Sequence, residues 1–141
     1  MKTSKPIFTT PAAVEEAFYD ALSRGDVQGV MSLWAEDDDI VCIQPGGPRT
    51  TGMSAVRQAW EGVLAGRLDI RARSIQRYET MTTAVSSVIE EITVAGDESV
   101  RCVATNVFVK DARGWRIILH HASPAGDADE SAPASTGAVL H

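Results

Sequence analysis

The chain of 141 residues has few cysteines, few aromatic residues and no long hydrophobic run. Its two cysteines, Cys42 and Cys102, lack the spacing of a zinc or redox motif. We therefore expect two buried, reduced thiols, with a disulfide or a reactive thiol as the alternative. No apolar stretch approaches the roughly 20 residues that cross a bilayer. The charged amino-terminal segment has no apolar region behind it. These absences predict a cytoplasmic protein that does not enter membranes.

The sequence also has fewer basic than acidic residues: 13 lysines and arginines against 19 aspartates and glutamates, for a net charge of −6. Such a surface repels phosphate backbones, so nucleic acid is not an expected partner. The proline- and glycine-rich segment 45–48 has no lysine with which to cradle a phosphate. The consecutive acids at 37–39 lack the alternating spacing of a calcium loop. We expect neither a metal nor a cofactor.

Three amphipathic helices are predicted in the first half of the chain. Thr10 followed by Pro11 is typical of a helix start. Asp26 can cap a second, shorter helix and Ser54 a third. Apolar residues recur at helical spacing on one face of each. These faces are Val14, Ala17, Phe18, Ala21 and Leu22; Val27, Val30, Met31 and Trp34; and Val56, Ala59, Trp60, Val63 and Leu64.

The rest of the sequence is typical of strands. A short β-rich run over 40–43 predicts a strand between the second and third helices. The second half predicts an antiparallel meander of four strands, over 68–79, 83–94, 99–109 and 115–122. Helices on one face of a mostly antiparallel sheet make an α+β domain. Three short helices cannot cover a long sheet, so its uncovered part should line a pocket or meet another subunit.

Several segments together resemble one family. Residues 21–26 and 33–38 resemble the paired opening helices of the nuclear-transport-factor-2-like superfamily. Pro45 with Gly52 and the helix that follows resembles its strand–loop–helix step. Residues 114–123 are similar to the last strand of a SnoaL-like branch related to the calcium/calmodulin-dependent kinase association domain.

This likeness covers a single domain over residues 10–124, followed by a tail, 125–141, whose composition predicts disorder. The resemblance implies a cone-shaped, curved, mostly antiparallel sheet, with three N-terminal helices on its concave face, as in a cystatin-like roll. It also implies an apolar pocket inside the cone and, commonly, a homodimer through the sheet.

The resemblance does not select a chemistry, because the superfamily holds isomerases, cyclases, dehydratases, epoxide hydrolases and non-catalytic association modules. Its ketosteroid isomerases carry an aspartate base just before the proline of the first strand, where this chain has Gln44. They carry a tyrosine in the first helix, where this chain has Phe18, with Tyr19 one position along. Glutamine is no useful base and phenylalanine donates no hydrogen bond. The isomerase site is therefore absent in that family's form.

The adjacent histidines His120 and His121 point to opposite faces of the last strand, so they cannot chelate one metal together. Trp115, Ile117 and Leu119 share the face of His121, which is the more apolar one. We therefore predict that His121 points inward as an acid, a base or a ligand donor. A buried histidine with a structural hydrogen bond is the alternative.

Glu90 shares its strand face with Val88 and Ile92, so its carboxyl should be desolvated, with a raised pKa, as a general acid requires. An ion pair with Arg101 is the alternative. Asn106 should be buried between Ala104 and Phe108, where its amide needs partners, among them ligand atoms.

Trp34, Trp60 and Tyr78 can wall a ligand pocket, or Trp34 and Trp60 can simply pack in the core. Arg71, Arg73 and Arg77 are predicted on one strand face, which is an anion site, a solvated face or a dimer face.

Two functions are compatible with these patterns. In the first, the cone binds a small apolar ligand, and His121 and Glu90 perform acid–base chemistry of isomerase, cyclase or dehydratase type without a cofactor. In the second, the domain is a non-catalytic homodimeric association module.

Overall fold

The structure, a computed structural model, describes residues 6–94 and 98–126. The predicted turn at Gly96 and Asp97, and most of the predicted tail, lie outside these residues. The described chain contains three helices and six strands. The helices are α1 (Pro11–Ser23), α2 (Val27–Met31) and α3 (Met53–Val63). The strands are β1 (Val41–Ile43), β2 (Arg49–Thr51), β3 (Leu68–Glu79), β4 (Thr83–Val94), β5 (Ser99–Asp111) and β6 (Gly114–Pro124).

Two of the three predicted helix starts are confirmed. The Thr10 hydroxyl accepts a hydrogen bond from the Ala13 amide at 3.1 Å, and the Asp26 carboxylate accepts one from the Gly29 amide at 2.9 Å. The predicted cap at Ser54 is wrong, because α3 already begins after Gly52, whose φ of 91° suits glycine.

The strands form one curved sheet in the order β2-β1-β6-β5-β4-β3. Neighbouring strands are antiparallel except for the parallel pair of β1 and β6. The α+β class is therefore confirmed. Strand β2 was not predicted. The Gly47 amide donates to the Gln44 carbonyl at 2.8 Å, so the segment 45–48 turns β1 back into a hairpin.

Two β-bulges interrupt the alternation of side chains in the long strands. In β3 the pairing with β4 skips Ile75, and in β6 the pairing with β5 skips Ile118. One extra residue in a strand moves every later side chain to the opposite face. Each bulge therefore reverses the facing of the residues that follow it.

The helices pack on one face of the sheet, which we call the concave face. On β4, β5 and β6 most of the side chains of this face are buried together with the apolar faces of the helices. The largest of these buried side chains are Trp34, Phe18, Phe108, Leu22, Ile40 and Ile117. On the opposite, outer face, Ser87, Thr105 and His121 lie side by side and are exposed.

Both cysteines are free and buried, as predicted. Burial raises the pKa of the Cys42 thiol to about 12. No helix of the described residues is long and apolar enough to cross a membrane.

The turn before β6 generates a first prediction, on stability. Gly114 has a φ of 98°, and a Cβ atom there would lie 2.6 Å from the Phe8 carbonyl oxygen. The amide of Trp115 donates to that same oxygen at 3.0 Å. We expect Gly114→Ala to lower the free energy of unfolding by about 1–3 kcal/mol in urea denaturation.

Gly62 in α3 is the matched control, since a Cβ there meets no atom within 4 Å. Gly62→Ala should leave stability unchanged or raise it by up to about 1 kcal/mol. Equal effects of the two substitutions would contradict the prediction.

Candidate functional site

A cavity of about 280 Å³ opens at one end of the concave face, between the C-terminal ends of α1 and α3 and the sheet. Gln44, Pro45, Gly66 and Arg67 contribute to its lining. Most of its wall is apolar, and two ionisable side chains in it, Glu90 and His120, are buried. The apolar wall consists of Leu22, Trp60, Val63, Leu68, Ile70, Ile92, Val94 and Ala122. A small, largely apolar molecule fits such a lining.

A larger surface cleft of about 690 Å³ shares part of this wall. It runs past the turn between α1 and α2, where Ser23, Arg24 and Asp69 are exposed. None of its described lining residues is a buried ionisable group. The smaller cavity is therefore the better candidate for chemistry.

Glu90 lies on the concave face of β4 and is only 2% exposed. Its Oε2 accepts a hydrogen bond from the Tyr19 hydroxyl at 2.7 Å. Burial raises the pKa of the Glu90 carboxyl, and the charge of Glu15 adds to this, while the Tyr19 hydrogen bond acts in the opposite direction. The alternative partner, Arg101, instead forms an ion pair with the neighbouring Glu91 at 3.0 Å. Glu90 is thus a desolvated carboxyl that has no lysine or arginine against it among the described residues.

The histidine on the concave face is His120, and the prediction that His121 points inward is wrong. His120 is 2% exposed, whereas His121 is exposed on the outer face. Ile117 does face inward, as predicted, but the bulge at Ile118 reverses the alternation before the histidines.

The ring of His120 is enclosed by protein on several sides. Its Nδ1 lies 2.6 Å from the Asn106 Oδ1, and its Nε2 lies 3.9 Å from the Glu90 Oε2. Its ring centroid lies 5.3 Å from that of Phe18 and 5.5 Å from that of Trp60. Burial lowers the pKa of His120 to about 3, with a smaller contribution from the charge of His121. His120 is therefore neutral at pH 7.

Asn106 is fully buried and joins the cavity to a second carboxylate. Its amide nitrogen donates to the Glu15 Oε2 at 2.8 Å and to the Tyr19 hydroxyl oxygen at 3.1 Å. Glu15 in turn accepts from Arg77 at 2.6 Å and from the Ser86 hydroxyl at 3.0 Å.

Sequence reasoning missed Glu15, although a signal for it was present. It lies four residues before Tyr19 and directly after Val14, at the edge of the apolar face of α1. The expected common face of Arg71, Arg73 and Arg77 is also corrected. The bulge at Ile75 turns Arg77 to the concave side, where it meets Glu15.

The three aromatic residues predicted at a pocket have three different positions. Trp60 lines the cavity, and its indole N–H has no hydrogen-bond acceptor among the described residues. Trp34 is fully buried in the core and is not part of the cavity wall. Tyr78 is 67% exposed, so it does not wall the cavity, because the bulge at Ile75 turns it to the outer face.

At neutral pH the site therefore combines an uncharged imidazole with a carboxyl whose pKa is raised by burial. Such a pair can donate one proton and accept another within one small molecule. Among the described residues, no group of three or more histidines, cysteines and acids could hold a metal ion.

The burial of His120 generates a second prediction, on the pH dependence of stability. Its pKa is about 3 in the folded chain against the usual 6.5, so the unfolded chain binds the proton first as the pH falls. His120 therefore lowers the free energy of unfolding as the pH falls from 6.5 towards 3, by about 1.4 kcal/mol per pH unit. We expect His120→Gln to flatten the curve of unfolding free energy against pH in this window, measured by urea denaturation.

The exposed neighbour provides the control. His121→Gln should keep the wild-type slope of unfolding free energy against pH between pH 6.5 and 3. Titration of the carboxylates contributes equally to this slope in the wild type, His120→Gln and His121→Gln. Parallel curves for wild type and His120→Gln would refute the neutral state of His120.

Comparisons with known proteins agree with this architecture. The family model described as a SnoaL-like domain matches residues 12–127. A crystal structure described as a candidate calcium/calmodulin-dependent protein kinase type II association domain from Thiobacillus denitrificans is 34% identical, with a TM-score of 0.80 over 86% of this chain and 99% of that one. A candidate dehydratase of the nuclear transport factor 2-like family from Streptomyces avermitilis is 28% identical, with a TM-score of 0.73 over 82% and 94%.

A ketosteroid isomerase-like protein from Erwinia carotovora atroseptica, 18% identical with a TM-score of 0.71 over 82% and 93% of the two chains, shares the fold alone. The comparison with curated proteins finds no match. Because the family model spans most of the sequence, the chain belongs to the SnoaL-like family, within the nuclear transport factor 2-like superfamily.

Proposed function

We propose that the domain binds a small, largely apolar molecule in the 280 Å³ cavity and transfers protons on it, with Glu90 as the acid and His120 as the base. One observation carries this proposal. The two side chains are both buried, with Nε2 and Oε2 only 3.9 Å apart, at the wall of an otherwise mostly apolar cavity.

The geometry suits chemistry next to a carbonyl group. The His120 Nε2 takes a proton from the carbon beside the carbonyl, while Glu90 gives its proton to the carbonyl oxygen, so that an enol forms. Return of the proton to a different carbon completes an isomerisation. In a dehydration, Glu90 instead gives its one proton to a hydroxyl group on the next carbon while His120 takes the proton from the carbon beside the carbonyl, and the products are an alkene and water.

Either reaction leaves the pair ready for another cycle. After the first proton transfers, the imidazolium and the carboxylate carry opposite charges at short range, which stabilises both in the low dielectric of the cavity. In the isomerisation the enol returns its proton to Glu90 and the imidazolium gives its own to carbon. In the dehydration the imidazolium passes its proton to Glu90. The relative described as a candidate dehydratase supports this class of reaction.

The third prediction tests the acid and the base with 3-cyclohexen-1-one. Its conversion to 2-cyclohexen-1-one requires one base at carbon and one acid at oxygen, and it is followed by ultraviolet absorbance. We expect the wild-type protein to accelerate this conversion. His120→Gln and Glu90→Gln should each lower the rate by about 100-fold or more.

Exposed neighbours on the same strands supply matched controls. His121→Gln and Glu91→Gln remove the same chemical groups from the outer face and should leave the rate unchanged. If the two buried variants convert the enone as fast as the wild type, Glu90 and His120 are not the acid and the base.

A second function, homodimeric association, is supported by a different observation. No helix of the described residues covers the outer face of the sheet, and within the same part of the chain β3 is an edge strand whose residues from Arg71 to Glu79 are all exposed. The relative that is 34% identical is described as a candidate association domain. We propose that two copies pair through their outer faces.

The fourth prediction concerns this pairing. Sedimentation velocity should show a species of twice the 15.1 kDa chain mass at micromolar concentration. Thr105→Glu places a charge in the centre of the outer face, next to the same residue of the second copy or its neighbours, and should yield monomers. Gln58→Glu, on an exposed position of α3, is the control and should remain dimeric. A monomeric wild-type protein would refute the association function.

A further inference from the structure

A chain of hydrogen bonds, buried except at its Arg77 end, leads away from the cavity through residues that the proposed chemistry does not itself use. Arg77 donates to Glu15 at 2.6 Å, Asn106 donates to Glu15 at 2.8 Å, and His120 Nδ1 lies 2.6 Å from Asn106 Oδ1. Glu15 is 6% exposed, and Asn106 and His120 are at or below 2%. Water therefore has little part in deciding which of these atoms carry hydrogen.

The donor and acceptor properties of these groups fix the direction of the chain. An ionised carboxylate only accepts hydrogen bonds, so the side of the Asn106 amide that faces Glu15 must be its NH₂ group. The second hydrogen of this group is directed to the Tyr19 oxygen at 3.1 Å. The Asn106 oxygen then faces His120, and because it can only accept, the hydrogen of the neutral imidazole must be on Nδ1.

The consequence for the cavity follows directly. A neutral imidazole carries one hydrogen, so Nε2 keeps a free lone pair. This is the nitrogen that lies 3.9 Å from Glu90. In the opposite tautomer, Nε2 would carry the hydrogen and could not take a proton from a substrate.

We infer that Glu15 is a positioning residue: by orienting the Asn106 amide, it holds His120 in the tautomer whose Nε2 is free to act as a base. This inference rests on the proposed function, in which His120 is that base. Arg77 and Ser86 fix the carboxylate of Glu15 from its other side. The buried carboxylate is needed because the oxygen and nitrogen ends of an amide have nearly the same shape, so packing alone does not orient Asn106.

The test replaces Glu15 by its uncharged isostere, Glu15→Gln. A glutamine can present its own NH₂ group to Asn106, which allows the amide to turn and donate to Nδ1. Nitrogen–proton correlation spectra of protein labelled with ¹⁵N-histidine distinguish the tautomers, and His120→Gln assigns the His120 signals among the three histidines. We expect Nδ1–H in the wild type and a shift towards Nε2–H in Glu15→Gln. In the enone assay kcat should fall about tenfold or more, with a smaller change in KM.

Glu16→Gln is the matched control, because Glu16 is the exposed neighbour on the same helix. It should keep both the wild-type tautomer and the wild-type kcat. A folded Glu15→Gln protein that retains Nδ1–H overturns the inference. If that variant does not fold by circular dichroism, the wild-type spectrum decides, since Nε2–H in the native protein overturns the inference and Nδ1–H supports it.

The two readouts separate this inference from the proposed function. A tautomer shift in Glu15→Gln, in a protein whose wild type does not convert the enone, would support the positioning of the ring and refute its use as a base. Conversion that depends on His120, without any tautomer shift, would leave the proposed function standing and remove Glu15 from it.

Discussion

The burial of Glu90 and His120 at one end of the concave face is the constraint on which the rest of this site depends. Glu90 and His120 lie within a few ångströms of each other, and in water the first would be an anion and the second partly a cation. Burial disfavours the charged form of each, so the pKa of Glu90 rises and that of His120 falls. The apolar wall around the cavity therefore shifts both groups towards their uncharged forms.

Such a site is stable only if its polar atoms find partners inside the protein. Tyr19, Asn106 and Glu15 supply them, and Arg77 closes the network with a positive charge at the far end. Each buried polar group that is left without a partner costs folding free energy. Among the described residues, the indole N–H of Trp60 is such a group.

The periodicity of apolar residues was sufficient to predict the helices, the long strands and the burial of Glu90 and Asn106. Each of these depends on a local pattern of apolar and polar residues. It failed for His121, Tyr78 and Arg77, and the cause is the same in each case. A bulge upstream, at Ile118 or Ile75, shifts the alternation by one residue. Both are ordinary β-branched residues in ordinary strand surroundings, so no local feature of the sequence marks them. The strand β2 was missed for a related reason, because a breaker-rich segment is equally compatible with a loop and a hairpin.

Compared with the ketosteroid isomerase pattern, this chain keeps the fold but carries its ionisable side chains at other positions. The position of their strand-end base is occupied here by Gln44, which lies in the cavity lining and whose amide contacts the Cys42 sulfur at 3.4 Å. A hydroxyl from the first helix is nevertheless present, because Tyr19, one position beyond the aligned Phe18, points to Glu90. The buried ionisable pair, Glu90 and His120, lies instead on β4 and β6 of the same sheet, and His120 pairs in register with Cys42 of β1. Most concave positions of β4, β5 and β6 are buried beneath the helices, whereas Ala72 and Ser74 on the concave face of β3 are exposed. The fold therefore decides which positions are desolvated, and the sequence decides which of them carry polar side chains.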